Sequence, residues 1–178
     1  MKIFIETERL VLREILPTDE NGLFELDSNP NVHTHHGNNP VDNIEQIREV
    51  ITMIRQQYID NGIGRWAIID KNTNAFIGWA GLKFVLEKTN NHINFYDLGY
   101  RLIEKYWRKG IATETTKATL KYAFNKLYLT EVYGMCDVGN IASKNVLEKT
   151  GLKYIETFDL EGIEHNWFKI TKNEWTNM

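Results

Sequence analysis

The sequence predicts a mixed α/β fold, an α+β arrangement in which a mostly antiparallel sheet of about seven strands is flanked by about four helices. Three observations carry this expectation. Residues 65–70, 75–87 and 92–103 are strand-like runs joined by the short connectors "KNTN" and "KTNN", the pattern of an antiparallel meander. A helical period and then another strand-like run follow the meander, which is the order of a β-α-β crossover. Apolar residues recur at helical spacing at Ile44, Ile47, Val50, Ile51, Ile54 and Tyr58, and again at Ala112, Thr116, Leu120, Ala123, Phe124 and Leu127.

The elements follow in order. Residues 9–16, "RLVLREIL", alternate apolar and polar and read as a strand that Pro17 ends. Thr18 or Asp19 caps a short helix running to about Leu26. Residues 27–41 hold two prolines, four asparagines and a glycine, which is loop chemistry. Asp42 and Glu45 have the spacing of a capping box at the start of the second helix, and Asn61-Gly62 closes it. The meander and the helix opening near Gly110 come next. "TEVYGMCDV" is a strand, "NIASKNVLEKTG" a short helix stopped by Gly151, and "LKYIETFDL" and "HNWFKITKNEW" are the last two strand-like segments. No linker, composition break or internal repeat divides the chain, so residues 1–178 are expected to form one domain.

Composition excludes several classes of function. The net charge of −3 provides no global basic field for nucleic acid or an anionic membrane. No apolar run approaches the ~18–20 residues of a membrane span. "MKIFIETERL" is charged too early for a signal peptide. Cys136 is the single cysteine, so no disulfide forms within one chain, and a reduced, cytoplasmic setting is expected. Its context, "EVYGMCDV", reads as a buried strand and makes it a core residue rather than a nucleophile. His33, His35 and His36 are loosely spaced like metal ligands, but their loop offers no fourth ligand and no zinc site is expected. Trp66 and Trp79 read as core or cleft-wall aromatics.

One stretch concentrates charge and unusual backbone. Between Arg101 and Lys126 there are seven cations against Glu104 and Glu114. This reads either as a solvated helix face or as a site for a polyanion. Within it, "YWRKGIATET" places a strand end, a loop with Arg108 and Lys109, and a helix opening near Gly110. A helix start leaves about four N–H groups unpaired and carries about half a positive charge. The stretch is therefore either a tight turn or a cradle for phosphate. It matches neither the G-x-x-x-x-G-K-[ST] nor the G-x-G-x-x-G fingerprint, which argues against ATP, GTP and NAD.

"YWRKGIATE" resembles the acyl-CoA pyrophosphate loop of GNAT-superfamily N-acetyltransferases, in particular the subgroup containing RimJ and RimL. "ETERLVLRE", "SNPNVHTH", "FIGWAGL", "YDLGYRL", "DVGNIASKNVLEKTGLKYI" and "NWFKITKNEW" are similar to further segments of that subgroup in the same order, so the likeness covers about Thr7 to Trp175. The chain departs from the pattern at Arg108, where a glycine is usual, at Asp97, where a Glu is usual, and at Leu147, where many GNAT enzymes carry a tyrosine.

The resemblance implies an acetyl-CoA-dependent transfer to a primary amine by direct attack in a ternary complex, with no metal and no covalent enzyme intermediate. It implies that Trp107, Arg108, Lys109, Gly110, Ile111, Ala112 and Thr113 form the pyrophosphate loop. The backbone of Tyr100, Arg101, Leu102 and Ile103 would line the acetyl-pantetheine. Asn140 would hydrogen-bond the pantetheine, although Asn140 is also a good plain N-cap. Ser143 would lie near the sulfur as the candidate proton donor. Asp97 and Glu14 are the candidate bases for the amine. Gly99 marks a bulge or a close backbone approach in its strand. The acceptor implied is a protein N-terminus of the ribosomal-protein type. A small amine such as a polyamine or antibiotic is the second choice, and a CoA-binding module without turnover the third. No nucleic-acid or membrane partner is expected, and the chain is expected as a monomer or homodimer.

Overall fold

The computed structural model describes residues 1–35 and 37–178; His36, one of the three histidines considered above, lies outside the described residues. Among the described residues, eight strands form one sheet: β1 (Ile3–Glu6), β2 (Leu10–Glu14), β3 (Arg65–Asp70), β4 (Phe76–Val85), β5 (Phe95–Leu102), β6 (Glu131–Asp137), β7 (Lys153–Leu160) and β8 (Ile163–Thr171). Six helices among the described residues accompany them: α1 (Glu20–Asp27), α2 (Pro30–His33), α3 (Ile44–Asn61), α4 (Ile111–Asn125), α5 (Ile141–Lys149) and α6 (Lys172–Thr176). The mixed, mostly antiparallel α/β architecture agrees with the sequence expectation, with one strand and two helices more than expected.

The additional elements are short and locally encoded. β1 is a four-residue edge strand with little alternation to reveal it. In α2, Asn29 caps the chain by accepting from the Asn31 N–H, and Pro30 takes the first helical position. α6 lies inside a run that read as strand. Thr171 and Glu174 cap each other there, a T-x-x-E signature that overrides the aromatic context. The capping box of α3 is shifted by one residue from the expected Asp42/Glu45: Asn43 is the N-cap and Gln46 its reciprocal partner.

The strand order is β1-β2-β3-β4-β5-β6-β8-β7. β1 through β5 form an antiparallel meander, and α4 then carries the chain across to β6, which runs parallel to β5. Strand alternation sends neighbouring side chains to opposite faces. Trp66, Ile68, Leu98, Leu102 and Leu120 belong to the core on the α4–α5 face, whereas Ala67, Ile69, Leu23 and Ile47 belong to the core on the α1–α3 face. Cys136 is a buried free thiol in the first of these cores. No helix among the described residues is long and apolar enough to cross a membrane.

The feature that positions the site is the short β5–β6 ladder. It consists of two residue pairs, Asp97 with Tyr133 and Leu98 with Gly134. β5 nevertheless continues to Leu102, paired with β4, and β6 continues to Asp137, paired with β8. Beyond Leu98 the two strands separate, and Gly99–Leu102 face a gap instead of a neighbouring strand.

Candidate active site

A cavity of about 240 Å³ occupies this gap, walled by Asp97–Arg101 of β5, Met135–Asp137 of β6, and Ser143 and Leu147 of α5. Arg65, Trp79, His35 and His165 close it on the other face of the sheet. The cavity therefore passes between two strands and is reached by residues of both faces.

On the α1–α3 face the site rests on a buried ion pair. Arg65 lies opposite Gly81, and Gly81 lies opposite Gly99. The guanidinium crosses this glycine pair and reaches Asp97, donating to the Asp97 carboxylate and, at 2.7 Å, to the Asp97 carbonyl. A Cβ on Gly99 would sit 2.8 Å from Arg65 Nη2. The close approach read from Gly99 is thus that of a side chain lying flat on the strand. Burial pushes the Asp97 carboxyl up and Arg65 opposes that shift. Asp97 Oδ1 is buried without a hydrogen bond.

Trp79 stands between two guanidinium groups, with Arg65 at 5.3 Å and Arg101 at 5.4 Å from its ring centre. Arg101 is in turn held by Asp27 at 2.6 Å. His33 lies 3.7 Å from the same Asp27, and its pKa is lowered by burial and by Arg101. His35 pairs instead with Asp137 at 3.4 Å. The two described histidines thus serve different carboxylates, and among the described residues no group of three or more His, Cys, Asp or Glu side chains could hold a metal ion.

On the α4–α5 face, Tyr100 projects across the gap and donates from its phenol to the Ser143 carbonyl at 3.3 Å. Asn140 is the N-cap of α5 and accepts from the Ser143 N–H at 3.0 Å. Ser143 lines the cavity, and Asn140 begins the same helix three residues before it.

The loop into α4 lies at the other end of β5. Trp107 donates its indole N–H to the Leu102 carbonyl at 2.8 Å and so ties the loop to the strand end. Arg108 has φ +60° and Gly110 has φ +75°. Gly110 is the N-cap of α4 and no side chain caps the helix. The Ile111, Ala112 and Thr113 amides precede the first intrahelical donor, Glu114, whose N–H reaches the Gly110 carbonyl. Space around Gly110 is open, the nearest neighbour to an added Cβ being Arg9 Nη2 at 4.0 Å. Arg9 pairs with Glu114 and also donates to the Lys109 carbonyl, fixing the helix start against the β1–β2 turn. Of the cations in this window, Arg101 and Lys105 are engaged by Asp27 and Glu25. Arg108 and Lys109 have no ion-pair partner among the described residues, and both are exposed.

Three of the residues considered from sequence are placed otherwise than expected. Glu14 sits on the β1–β2 edge, where its carboxylate accepts from the Lys2 N–H, and it does not line the cavity. Ile103 turns into the α1–α3 core and its N–H is taken by the Ile77 carbonyl, so it offers the gap no free amide. Leu102 is buried, and its carbonyl is occupied by Trp107. Arg65 and His165 join the site without having been placed there by sequence reasoning, whereas Trp79, read as a core or cleft-wall aromatic, lines the cavity and Trp66 lies in the core. The one signal present was the Gly81/Gly99 pair, which becomes readable only once the strand register is known.

An acetyltransferase (GNAT) domain model matches residues 9–153. The chain belongs to the GNAT acetyltransferase family. Among its relatives, the uncharacterized N-acetyltransferase YoaA of Bacillus subtilis (strain 168) is 30% identical over 149 residues, covering 84% of this chain and 82% of that protein. The same fold is seen in the ribosomal L7/L12 α-N-protein acetyltransferase RimL in complex with coenzyme A, with a TM-score of 0.78 at 18% identity, covering 96% of this chain and 98% of that one. It is also seen in the spermidine N-acetyltransferase from Vibrio cholerae in complex with CoA and spermine, with a TM-score of 0.76 at 18% identity and coverage of 96% and 100%. As a GNAT N-acetyltransferase, the protein catalyses acyl transfer to an amine, which needs a thioester site, an amine site and a passage between them.

Proposed function

We propose that this N-acetyltransferase, acting as one domain over residues 1–178, transfers an acetyl group from acetyl-CoA to the α-amino group of a protein N-terminus, as in the RimJ/RimL subgroup, in the cytoplasm. The observation that carries the reading is the β5–β6 gap, with an uncapped, glycine-started helix at one end and a buried ion pair on the opposite face. The fit to acetyl-CoA rests on the α4 entrance. The amides of Gly110–Thr113 and the side chains of Arg108 and Lys109 would hold the pyrophosphate, where backbone donors and helix dipole both favour an anion. Trp107 keeps the loop in place through Leu102. The backbone of Tyr100 and Arg101 would lie along the pantetheine, with Asn140 at its side and Ser143 close to the sulfur. The co-substrate supplies the activated acetyl thioester; the protein aligns the two reactants and excludes water.

On the opposite face, Asp97 would take the proton of the incoming ammonium, directly or through water. Its buried, unsatisfied Oδ1 and its upward-shifted carboxyl suit that task better than Glu14 on the sheet edge. The acceptor preference follows from charge. Asp97, Asp137 and Asp27 each face a cationic or histidine partner, so this mouth is not the strongly acidic trough that a polycation would need. A single amine beside a peptide group suits it.

The likeness to the spermidine enzyme keeps a small amine as the second reading. The deciding experiment offers acetyl-CoA with a panel of N-terminal peptides, spermidine and an aminoglycoside, and follows both CoA release and product mass. Acetyl-peptide alone is the expected product. Acetylated spermidine or aminoglycoside without acetyl-peptide would replace the acceptor. Binding of CoA with no release across the panel would point to a CoA-binding module without turnover.

A further inference from the structure

Acetyl transfer from a thioester ends with a sulfur that needs a proton, and the cavity wall contains three protein groups on the α4–α5 side that carry one: Tyr100, Ser143 and Cys136. Two of them are poorly suited. Cys136 is itself a thiol, pushed up to about 11 by burial and hydrogen-bonded with Asn166, so it gains nothing by exchanging its proton with another sulfur. Ser143 carries an aliphatic hydroxyl, an acid about as weak as water at ~15.7. A phenol at ~10 is the nearest match to a thiol at ~8.5. Burial raises the pKa of a phenol and of a thiol alike.

Geometry selects the same residue. Tyr100 is the second residue after the β5–β6 ladder ends, so it stands at the mouth of the gap. Its ring crosses to α5, and its hydroxyl rests on the Ser143 carbonyl at 3.3 Å, a long contact that leaves the proton easily redirected. His35 and His165 lie on the other side of the cavity, and their Nδ1 atoms face Asp137 and the Ile163 carbonyl. Leu147, one turn beyond Ser143 on the same helix, adds an aliphatic wall and no proton.

We infer that Tyr100 delivers the proton to the departing sulfur, an inference that rests on the thioester lying in the β5–β6 gap. The amine lone pair forms the new N–C bond. The C–S bond breaks with its electron pair remaining on sulfur, and the Tyr100 Oη–H proton moves to that sulfur. The proton lost by the nitrogen returns to the phenolate through water, so the sum is amide plus CoA thiol. Burial, which holds the phenol protonated, keeps the donor loaded at neutral pH.

The test is Tyr100→Phe, which keeps the ring and removes the hydroxyl. Calorimetric titration with CoA and with desulfo-CoA gives a readout independent of turnover. Wild type is expected to favour CoA over desulfo-CoA, and Tyr100→Phe to bind the two alike. With acetyl-CoA and a reactive amine, kcat should fall by ~10²-fold or more while KM for acetyl-CoA stays within about twofold. Ser143→Ala leaves the carbonyl that holds the phenol and should lose less. Wild-type kcat in Tyr100→Phe, an equal loss of affinity for both ligands, or the full loss in Ser143→Ala with little in Tyr100→Phe would each overturn the assignment. A wild-type protein that binds neither CoA nor desulfo-CoA would instead overturn the reading of the gap.

Discussion

Arg65 reaches Asp97 across the bare backbone of Gly99, and this contact joins β3 to β5 over the top of β4. Both partners are largely buried. The pair holds Asp97 at the edge of the gap, so its integrity is a matter of stability as well as of chemistry.

Removing the cation leaves a buried carboxylate without its counterion. Arg65→Met is expected to cost about 3–5 kcal/mol at pH 7. The sign of the pH dependence follows from the raised Asp97 pKa. An acid whose folded pKa lies above its unfolded value of 3.8 costs nothing below that value and progressively destabilises the fold as pH rises through the folded pKa. Without Arg65 the upward shift grows, so the variant should lose less at pH 5 than at pH 7. Urea midpoints of both proteins at the two pH values measure this. A deficit that does not depend on pH would show that Asp97 stays charged without Arg65.

The α4 entrance offers a second measurement. CoA at ~100 times its Kd should stabilise the protein by ~2.7 kcal/mol, or roughly 5–10 °C in Tm for this chain length. Gly110→Glu should abolish the shift by filling the cradle with bulk and negative charge. Gly110→Ala controls for backbone strain at φ +75°; it should lower the ligand-free Tm yet keep most of the shift. A full shift in the glutamate variant would move the pyrophosphate elsewhere.

Arg108 carries a left-handed backbone that a glycine adopts without cost. Arg108→Gly should therefore stabilise the ligand-free protein by about 1 kcal/mol, offset in part by the added freedom of the unfolded chain. If the guanidinium also helps to hold the pyrophosphate, the same variant should bind CoA more weakly and with a shallower dependence on salt. Chemical denaturation and titrations at two ionic strengths separate the two effects.

Much of this was legible from the chain itself. The 3.6-residue periods of α3 and α4, the alternation in β2, the short turn-rich connectors between β3, β4 and β5, and the Gly110 helix start are local patterns. Each is set by residues within a turn or a strand of one another. The capping box of α3 was legible too, but only to within a residue: Asn43/Gln46 competes with Asp42/Glu45, and both spacings are chemically sound. The four-residue β1 and the α6 turn are too short for periodicity to announce. Arg65 could not have been assigned, because a strand-initial arginine reads the same whether it meets solvent or a carboxylate. The direction of Tyr100 was equally hidden, since the residue was read through its backbone and its side chain turned out to span the gap.

The sequence by itself determined the strand and helix alphabet, the glycine-started, cation-flanked opening of α4 and the family likeness that runs through these segments, because such features depend on neighbours close along the chain. Tertiary structure decided which groups meet. Arg65 and Asp97 are 32 positions apart, and Tyr100 and Ser143 are 43 apart. Their contacts exist because the meander places Gly81 beside Gly99 and because β6 follows β5 for only two residue pairs before leaving it. That separation depends on what each strand pairs with on its far side: β4 holds β5 and β8 holds β6, and the space between them becomes the site.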